Sequence, residues 1–563
     1  MAANPLNIKW TLADRIIEVI DPVRARARLQ ARMNMAVAGQ WLGGRLDRRE
    51  TKNWVPLTGS ADADMLFDLP TMRARSRDMM RNSPLALGAI NTVVTSTVGT
   101  GLSLMPTPDA EALGMSDEEA EDWSALVLRE FNAWAENASA CDAARRLTFF
   151  QLQELAFRSA LEAGDCFALL PMIPTPASHY ELKVQLIEAD RVCNKDGAMD
   201  SDQLAGGVQL GLHGEPLAYH ILKSHPGSFA GSVRREWSVV DVFGKTSGRR
   251  NALHIADMRR IGQTRGYPYL APVMEPLRQL QRYTEAEIMA AVVSGMFTVF
   301  VQTDSGQGFD LGPDGQPIPS GSPAKSGSDM KLGNGAIVDL APGEQVNFAD
   351  PGRPNTAFDP FVQAVLRQIG VALELPFEVL IKHFTASYTA ARAAIQEAWR
   401  FFKGRRAFLA TTFCQPVYEA WLEEAIAIGR VPAPGFFDDP MVRAAYCAAE
   451  WIGDAPGQVD PLKEVQSSKE RINAALSNHS IETMALLGLP WRSVHKLLAK
   501  EVKEREEDGT MSLGAPMAAP AAPGAPGAQP AQQQDNGGGD GEGADKNNSG
   551  DGGDTESSDA EGE

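Results

Sequence analysis

Along residues 121–136 apolar side chains recur at helical spacing, with Trp123, Val127, Phe131 and Trp134 on one side. This predicts an amphipathic helix, and the same period returns over 149–163 and 276–301. Between Asp165 and Val242 the pattern changes. The runs CFALLPMI, YELKVQLI, GVQLGL, AYHILK and WSVVDVF, separated by Pro, Gly and Asn turns, predict strands. A second small strand pair is expected at 335–340 and 344–349, joined by the Pro342-Gly343 turn. From Phe358 onward the pattern is almost wholly helical. Its longest stretch, 388–428, meets a single breaker in Pro416, which kinks or ends a helix. The region 302–334 is dense in Gly, Pro and Ser and reads as a long loop or hairpin insertion.

Composition separates a folded body from an end that cannot fold. The chain has 563 residues, of which 44% are hydrophobic, enough for a sizeable core. Residues 509–563 are Ala/Pro/Gly and then Gly/Asp/Glu/Ser, with ten acids against Lys546, and read as a disordered acidic tail. The formal net charge is −19; the tail holds −9 of it, leaving −10 over the preceding 508 residues. Residues 1–86 are mildly basic, with 14 basic against 9 acidic side chains. A mildly acidic body argues against a general nucleic-acid binder, which needs a phosphate-neutralising surface. Five scattered cysteines give neither a disulfide framework nor a zinc site and suggest a reducing compartment. The longest strongly apolar run, 288–301, is shorter than the roughly 20 residues of a spanning helix, and no export signal is recognisable, so no membrane association is expected.

The search for chemistry finds little. Phe243-Gly244-Lys245-Thr246 resembles the end of a phosphate-binding loop, but Val239 stands where that motif needs a glycine, so a Lys-Thr turn after a strand is the better reading. Gly99-Thr100-Gly101 lacks the third glycine of a dinucleotide fingerprint and reads as a backbone turn. His213, His220 and His225 lie close, without Glu or Cys at metal-ligand spacing, and read as ordinary histidines. There is no H-E-x-x-H and no G-x-S-x-G. No catalytic residue, cofactor or metal is expected. Arg392, Arg400, Lys403, Arg405 and Arg406 make one basic helix surface. It could face acidic surfaces of a neighbouring subunit or phosphates, or be a solvated face laced with Glu397. Residues alone lead to a structural or assembly component.

A resemblance carries the reading further. Arg81-Asn82-Ser83-Pro84 through Ala89-Ile90-Asn91 to Val98-Gly99-Thr100-Gly101 resembles the opening of the portal proteins of tailed bacteriophages, in their lambda-like branch. Glu162-Ala163-Gly164-Asp165-Cys166-Phe167, Ile187-Glu188-Ala189-Asp190-Arg191-Val192, His254-Ile255, Gly262-Gln263-Thr264-Arg265-Gly266 and Tyr269-Leu270-Ala271-Pro272 follow in the family's order. So do Leu375-Pro376-Phe377-Glu378-Val379-Leu380, Tyr388-Thr389-Ala390-Ala391-Arg392 and Asp460-Pro461-Leu462-Lys463-Glu464. The usual Ser-Ser of the family is Thr389-Ala390 here, and Trp491 replaces a common acidic residue. The resemblance covers roughly 75–505.

What the resemblance implies is an α+β portal fold: a mixed α/β wing, a helical stem, a small clip and a helical crown, ahead of the acidic tail. It places an N-terminal basic segment at 1–74, the wing at 75–265, the stem helix region at 266–301 and the clip at 302–350. Long helices with a channel loop follow at 351–440, the crown at 441–508 and the tail at 509–563. The implied assembly is a ring, typically of twelve subunits, at one capsid vertex of the virion, built in the host cytoplasm. Double-stranded DNA passes through it, without sequence specificity, in packaging, retention and ejection. The implied partners are the terminase large subunit, the head-tail connector, and the major capsid and scaffold proteins. The loop Lys382, His383, Phe384, Thr385, Ala386 and Ser387 is the candidate for facing the channel. The competing readings are another ring-forming connector or minor capsid protein, and a head protein with a fused enzyme, which would need a nucleophile–base set.

Overall fold

The computed structural model describes Pro56 and residues 58–510, except 177, 229–234, 296–298, 304–343, 349–356, 385–386, 456–460 and 489–490. The first 55 residues of the basic segment, most of the 302–334 insertion, the strand expected at 335–340 and the tail from 511 onward lie outside the described residues. The chain forms two compact units, Met1–Val494 and His495–Glu563.

The first helices are set by their caps. Helix α1 (Leu69–Asn82) ends where Pro84 cannot continue it, and Ser83 caps the start of α2 (Pro84–Thr97), its hydroxyl accepting from the Ala86 N–H at 3.4 Å. Strand β1 (Ser103–Pro106) follows. Helix α3 (Asp117–Ala135) begins in a capping box between Ser116 and Glu119, and α4 (Phe149–Ala163) in one between Thr148 and Gln151. In α3 the predicted side of Trp123, Val127, Phe131 and Trp134 is the buried one.

The strand-rich part comprises β2 (Asp165–Leu169), β3 (Gln185–Glu188), β4 (Leu204–Ala205), β5 (Val208–Leu210), β6 (Pro216–Leu222), β7 (Trp237–Asp241) and β8 (Ala252–Ala256). All pair antiparallel, in two sheets ordered β3-β2-β8 and β4-β5-β6-β7. A small core of Phe167, Ile187, Val208, Tyr219 and Ile221 packs their side chains together. Strand β8 was not anticipated; its five residues are too short for periodicity to distinguish from a loop.

Helix α5 (Met274–Gly295) stops short of the predicted Val301. The β-branched and aromatic run after Gly295 instead forms β9 (Val299–Thr303), paired antiparallel with β10 (Glu344–Phe348). The expected strand at 344–349 is therefore present, and its partner here is β9. Then come α6 (Phe358–Ala372), the short α7 (Phe377–Ile381) and the long α8 (Tyr388–Leu409). Pro416 does not interrupt the helical run. A π-helical turn at Ala410–Cys414 precedes it, leading into α9 (Gln415–Ala427). The Thr411 and Thr412 hydroxyls donate to the Ala407 and Phe408 carbonyls at 2.9 and 2.7 Å, satisfying acceptors at the irregularity.

The remaining elements are α10 (Pro440–Cys447), β11 (Ala449–Ile452), α11 (Pro461–Asn473), α12 (His479–Leu487) and α13 (Trp491–Glu507). Strand β11 interrupts the otherwise helical end by pairing with β1, more than 300 residues upstream. One large core joins distant parts of the first unit. Phe131 meets Trp421 edge-on at 5.2 Å, Phe149 stacks on Phe413 at 5.6 Å, and Trp451 packs beside both Phe131 and Phe149. Among the described residues no helix is long and apolar enough to cross a membrane.

Candidate functional site

The candidate channel loop is rooted in this core, and its described residues are exposed. Leu373, Leu375 and Leu380 are buried, and the Tyr269 hydroxyl donates to the Leu373 carbonyl. A Cβ on Gly370 would stand 2.6 Å from the Leu375 carbonyl oxygen, so this turn needs a glycine there. Lys382 ends α7 in the left-handed region, φ +56°, and the His383 N–H donates back to the Glu378 carbonyl at 3.1 Å. Lys382, His383, Phe384 and Ser387 are exposed; Thr385 and Ala386 lie outside the described residues.

The structure divides the basic helix surface into two sets. Arg405 pairs with Asp257 at 2.6 Å and lies over the Phe401 ring at 5.0 Å. Arg406 donates to the carbonyls of Thr97 at 3.1 Å and Asp454 at 3.0 Å, and burial lowers its pKa. Both side chains are engaged within the subunit. Arg400 and Lys403 remain exposed and Arg392 half-buried. Among the described residues Arg400 pairs with Glu397 alone, one turn away, at 2.9 Å. Arg392 and Lys403 have no ion-pair partner among the described residues. Beside Arg400, a cleft of about 880 Å³ opens between the end of α6 and α8, lined by Arg367, Val371, Phe377, Phe401 and Gly404.

The densest polar constellation is one that sequence spacing did not expose. Asp165, at the start of β2, is fully buried and accepts five hydrogen bonds. Arg73 Nη2 reaches Oδ1 at 2.8 Å, and Arg265 spans the carboxylate with Nη2–Oδ1 at 3.0 Å and Nε–Oδ2 at 2.5 Å. His254 Nε2 and the Gly266 N–H reach Oδ2 at 3.1 and 3.2 Å. Burial pushes this carboxyl up, but Arg265 and Arg73 outweigh it and hold Asp165 far below the usual carboxylate range. Burial also lowers Arg73 to about 10 despite its anionic partner, and lowers His254, which stacks flat on Phe167 at 4.2 Å. Arg265 further donates to the carbonyls of Val192 and Ala189 at 2.8 and 2.9 Å. With its lone-pair directions taken, Asp165 is a clasp joining α1, β2, β8 and the 257–266 loop, with no reach toward a substrate. The sequence held a signal in Arg73: it falls in register with Leu69, Ser76 and Met79 on the buried side of α1.

The remaining motifs also resolve into supports. Gly99 has φ +59° and faces Asp454, whose carboxylate accepts from the Thr100 N–H and hydroxyl at 3.1 and 3.0 Å. Lys245 sits in the turn after β7 and pairs with Asp241 at 3.2 Å. The fold does bring acids to one histidine, contrary to the sequence spacing: Glu188 and Asp190 lie near His225. Arg77 bridges these two acids, at 3.0 and 2.5 Å, and also reaches Glu162 at 3.3 Å.

Comparison with known proteins places these features in a family. The family model described as phage portal protein, lambda family, matches residues 47–406. Portal protein B of Escherichia phage lambda is 27% identical over 487 residues, which cover 84% of this chain and 90% of that protein. The portal protein of Escherichia phage N15 has the same identity and coverage. Among solved structures, a chain in the neck of an empty GTA particle computed with C6 symmetry aligns with a TM-score of 0.42 and 16% identity. That alignment covers 74% of this chain and 94% of the other. The family match spans well over half the sequence and includes the Asp165 clasp, the Gly99 turn and the Lys382 loop: this chain belongs to the lambda family of phage portal proteins.

Proposed function

We propose that copies of this chain close into a ring, typically of twelve, at one capsid vertex, and that double-stranded DNA passes through its centre during packaging, retention and ejection. The observation that carries this reading is the family match over 47–406, which spans the elements we assign to wing, stem, clip and channel loop. In this assignment α5 and α6 form the stem, where Tyr283 packs against Phe358 and Phe361. The β9–β10 pair belongs to the clip, and α11–α13 to the crown.

A cyclic ring needs one surface that docks onto a different surface of the next copy. Arg392, Arg400 and Lys403, beside the cleft along α8, supply charged contacts for such a surface. A channel that lets a polyanion slide both ways must not grip it, since each neutralised phosphate adds affinity. The acidic chain, with Lys382 as the one formal cation in the sequence of this loop, meets that need. The portal family is structural. The chain works in our reading without a chemical step of its own, with a separate ATPase, the terminase large subunit, supplying energy through the clip. A head-tail connector docks there later, and capsid and scaffold proteins surround the ring during assembly in the host cytoplasm.

Native mass measurement with electron microscopy of the purified protein tests this. The expected particle is a closed ring with an axial opening wide enough for duplex DNA, and a stable monomer at all concentrations removes the reading.

A further inference from the structure

The cleft of about 880 Å³ between the end of α6 and α8 gathers apolar surface that the described residues leave uncovered. Val371, at the end of α6, is 82% exposed, and Phe377, Phe401 and Phe408 are half-buried in its lining. A concave apolar surface of this kind marks a place for an occupant.

The charges of the lining say which kind. Its cations are already engaged: Arg405 on Asp257, Arg400 on Glu397, and Arg367 over the Phe377 ring at 5.1 Å. Glu374 is the charge left over. It is exposed, has no ion-pair partner among the described residues, and stands at φ +54°, a left-handed position that strains a residue other than glycine. The cleft therefore suits a segment with apolar anchors and positive charge.

Such a segment belongs to this chain and enters the fold close by. Arg260 holds the Gly59 carbonyl at 3.1 Å and the Asp64 carboxylate at 2.6 Å. Asp257, three residues before Arg260, is part of the cleft lining. Just upstream, residues 41–55 read WLGGRLDRRETKNWV. Trp41, Leu46 and Trp54 are apolar anchors, and four cations, Arg45, Arg48, Arg49 and Lys52, stand against Asp47 and Glu50. From Gly59 back to Trp41 the chain can span up to about 60 Å, so reach does not limit the contact.

We infer that residues 41–55 fold back into this cleft of their own subunit, with their aromatic anchors against Val371 and Phe377 and their cations toward Glu374. The inference goes beyond the ring reading and does not need it. Arg392 and Lys403, on the same helix, lie outside the cleft lining and stay available to a neighbouring subunit.

Photo-cross-linking of the full chain with Val371→p-benzoylphenylalanine tests this. The expected product joins position 371 to a peptide from 41–55 and keeps the mass of one chain after denaturation. A product of two-chain mass makes a second copy the occupant and overturns the inference. So does a cross-link to any other segment of the same chain, and so does the absence of a cross-link. Maleimide labelling is the second arm, read at the substituted position by peptide mass. Val371→Cys in the full chain should react roughly tenfold more slowly than Leu212→Cys, as expected of a cleft filled about nine-tenths of the time; Leu212 is 91% exposed. Adding Arg45→Glu, Arg48→Glu, Arg49→Glu and Lys52→Glu should erase most of that difference. Equal rates at 371 and 212 in the unreversed chain overturn the inference, as does a slow rate at 371 that the charge reversal leaves untouched.

Discussion

Gly164 and Gly266 meet backbone to backbone: a Cβ on Gly266 would stand 1.9 Å from the Gly164 carbonyl oxygen. The contact brings the 257–266 loop onto the start of β2, so that the Gly266 N–H reaches Asp165. Gly164 itself has φ +94°, where a side chain is strained whatever the space. Gly266→Ala must force the two strands of chain apart and is expected to destabilise the first unit by about 3 kcal/mol or more. The midpoint of urea unfolding measures it; a change below about 1 kcal/mol would show that the loop shifts freely.

Asp165 is the anion between two buried guanidiniums. Asp165→Asn leaves Arg73 and Arg265 without their counter-charge, and a loss of about 3–5 kcal/mol is expected, with soluble expression falling accordingly. Replacing an exposed pair such as Lys223–Glu236 is the control and should cost less than about 1 kcal/mol.

The pH dependence follows from His254. Burial lowers its pKa, against the pull of Asp165 and with Arg265 and Arg73 disfavouring a further positive charge. Below its unfolded value of about 6.5 the unfolded chain binds a proton that the folded chain resists, so stability falls as pH drops through that range. Asp165, depressed in the folded state, contributes fully above the carboxylate range and is flat there. Between about pH 7.5 and 5.5, Tm should fall, and His254→Gln should flatten that slope.

Asp454 ties the exit of β11 to the Gly99-Thr100-Gly101 turn, and Arg406 holds its carbonyl from the other side. Asp454→Ala is expected to cost only about 1 kcal/mol globally. Amide exchange should accelerate locally, at 99–102 and 449–454. Arg406→Ala should cost more, because it also leaves the Thr97 carbonyl unpaired in the core.

Replacing 382–387 by a short Gly/Ser segment should leave ring assembly intact, since the loop's buried roots at Leu375 and Leu380 remain. DNA packaging or retention should drop. A ring that fails to form would instead place this loop at the contact between subunits.

Periodicity was enough to place α3, α4 and most strands between 165 and 242, because those elements are set by neighbours within a few residues, although the Ser116 cap starts α3 four residues before the expected 121. Ser116 with Glu119, and Thr148 with Gln151, mark helix starts that local chemistry alone dictates. The short glycine-bearing motifs also pointed to the family, since each sits where the backbone needs it. Local pattern could not tell that Val299–Thr303 leaves the helix to pair with Glu344–Phe348, nor that Ala449–Ile452 is a strand. A strand exists only once its partner arrives, and these partners are far along the chain. The same holds for charge. Five basic residues on α8 look alike in sequence, and tertiary packing alone takes Arg405 and Arg406 into Asp257 and the Thr97 carbonyl while leaving Arg400 and Lys403 in solvent. Asp165, Arg73, His254 and Arg265 became one clasp for the same reason: burial makes unpaired charge so costly that only the fold decides which charges must meet.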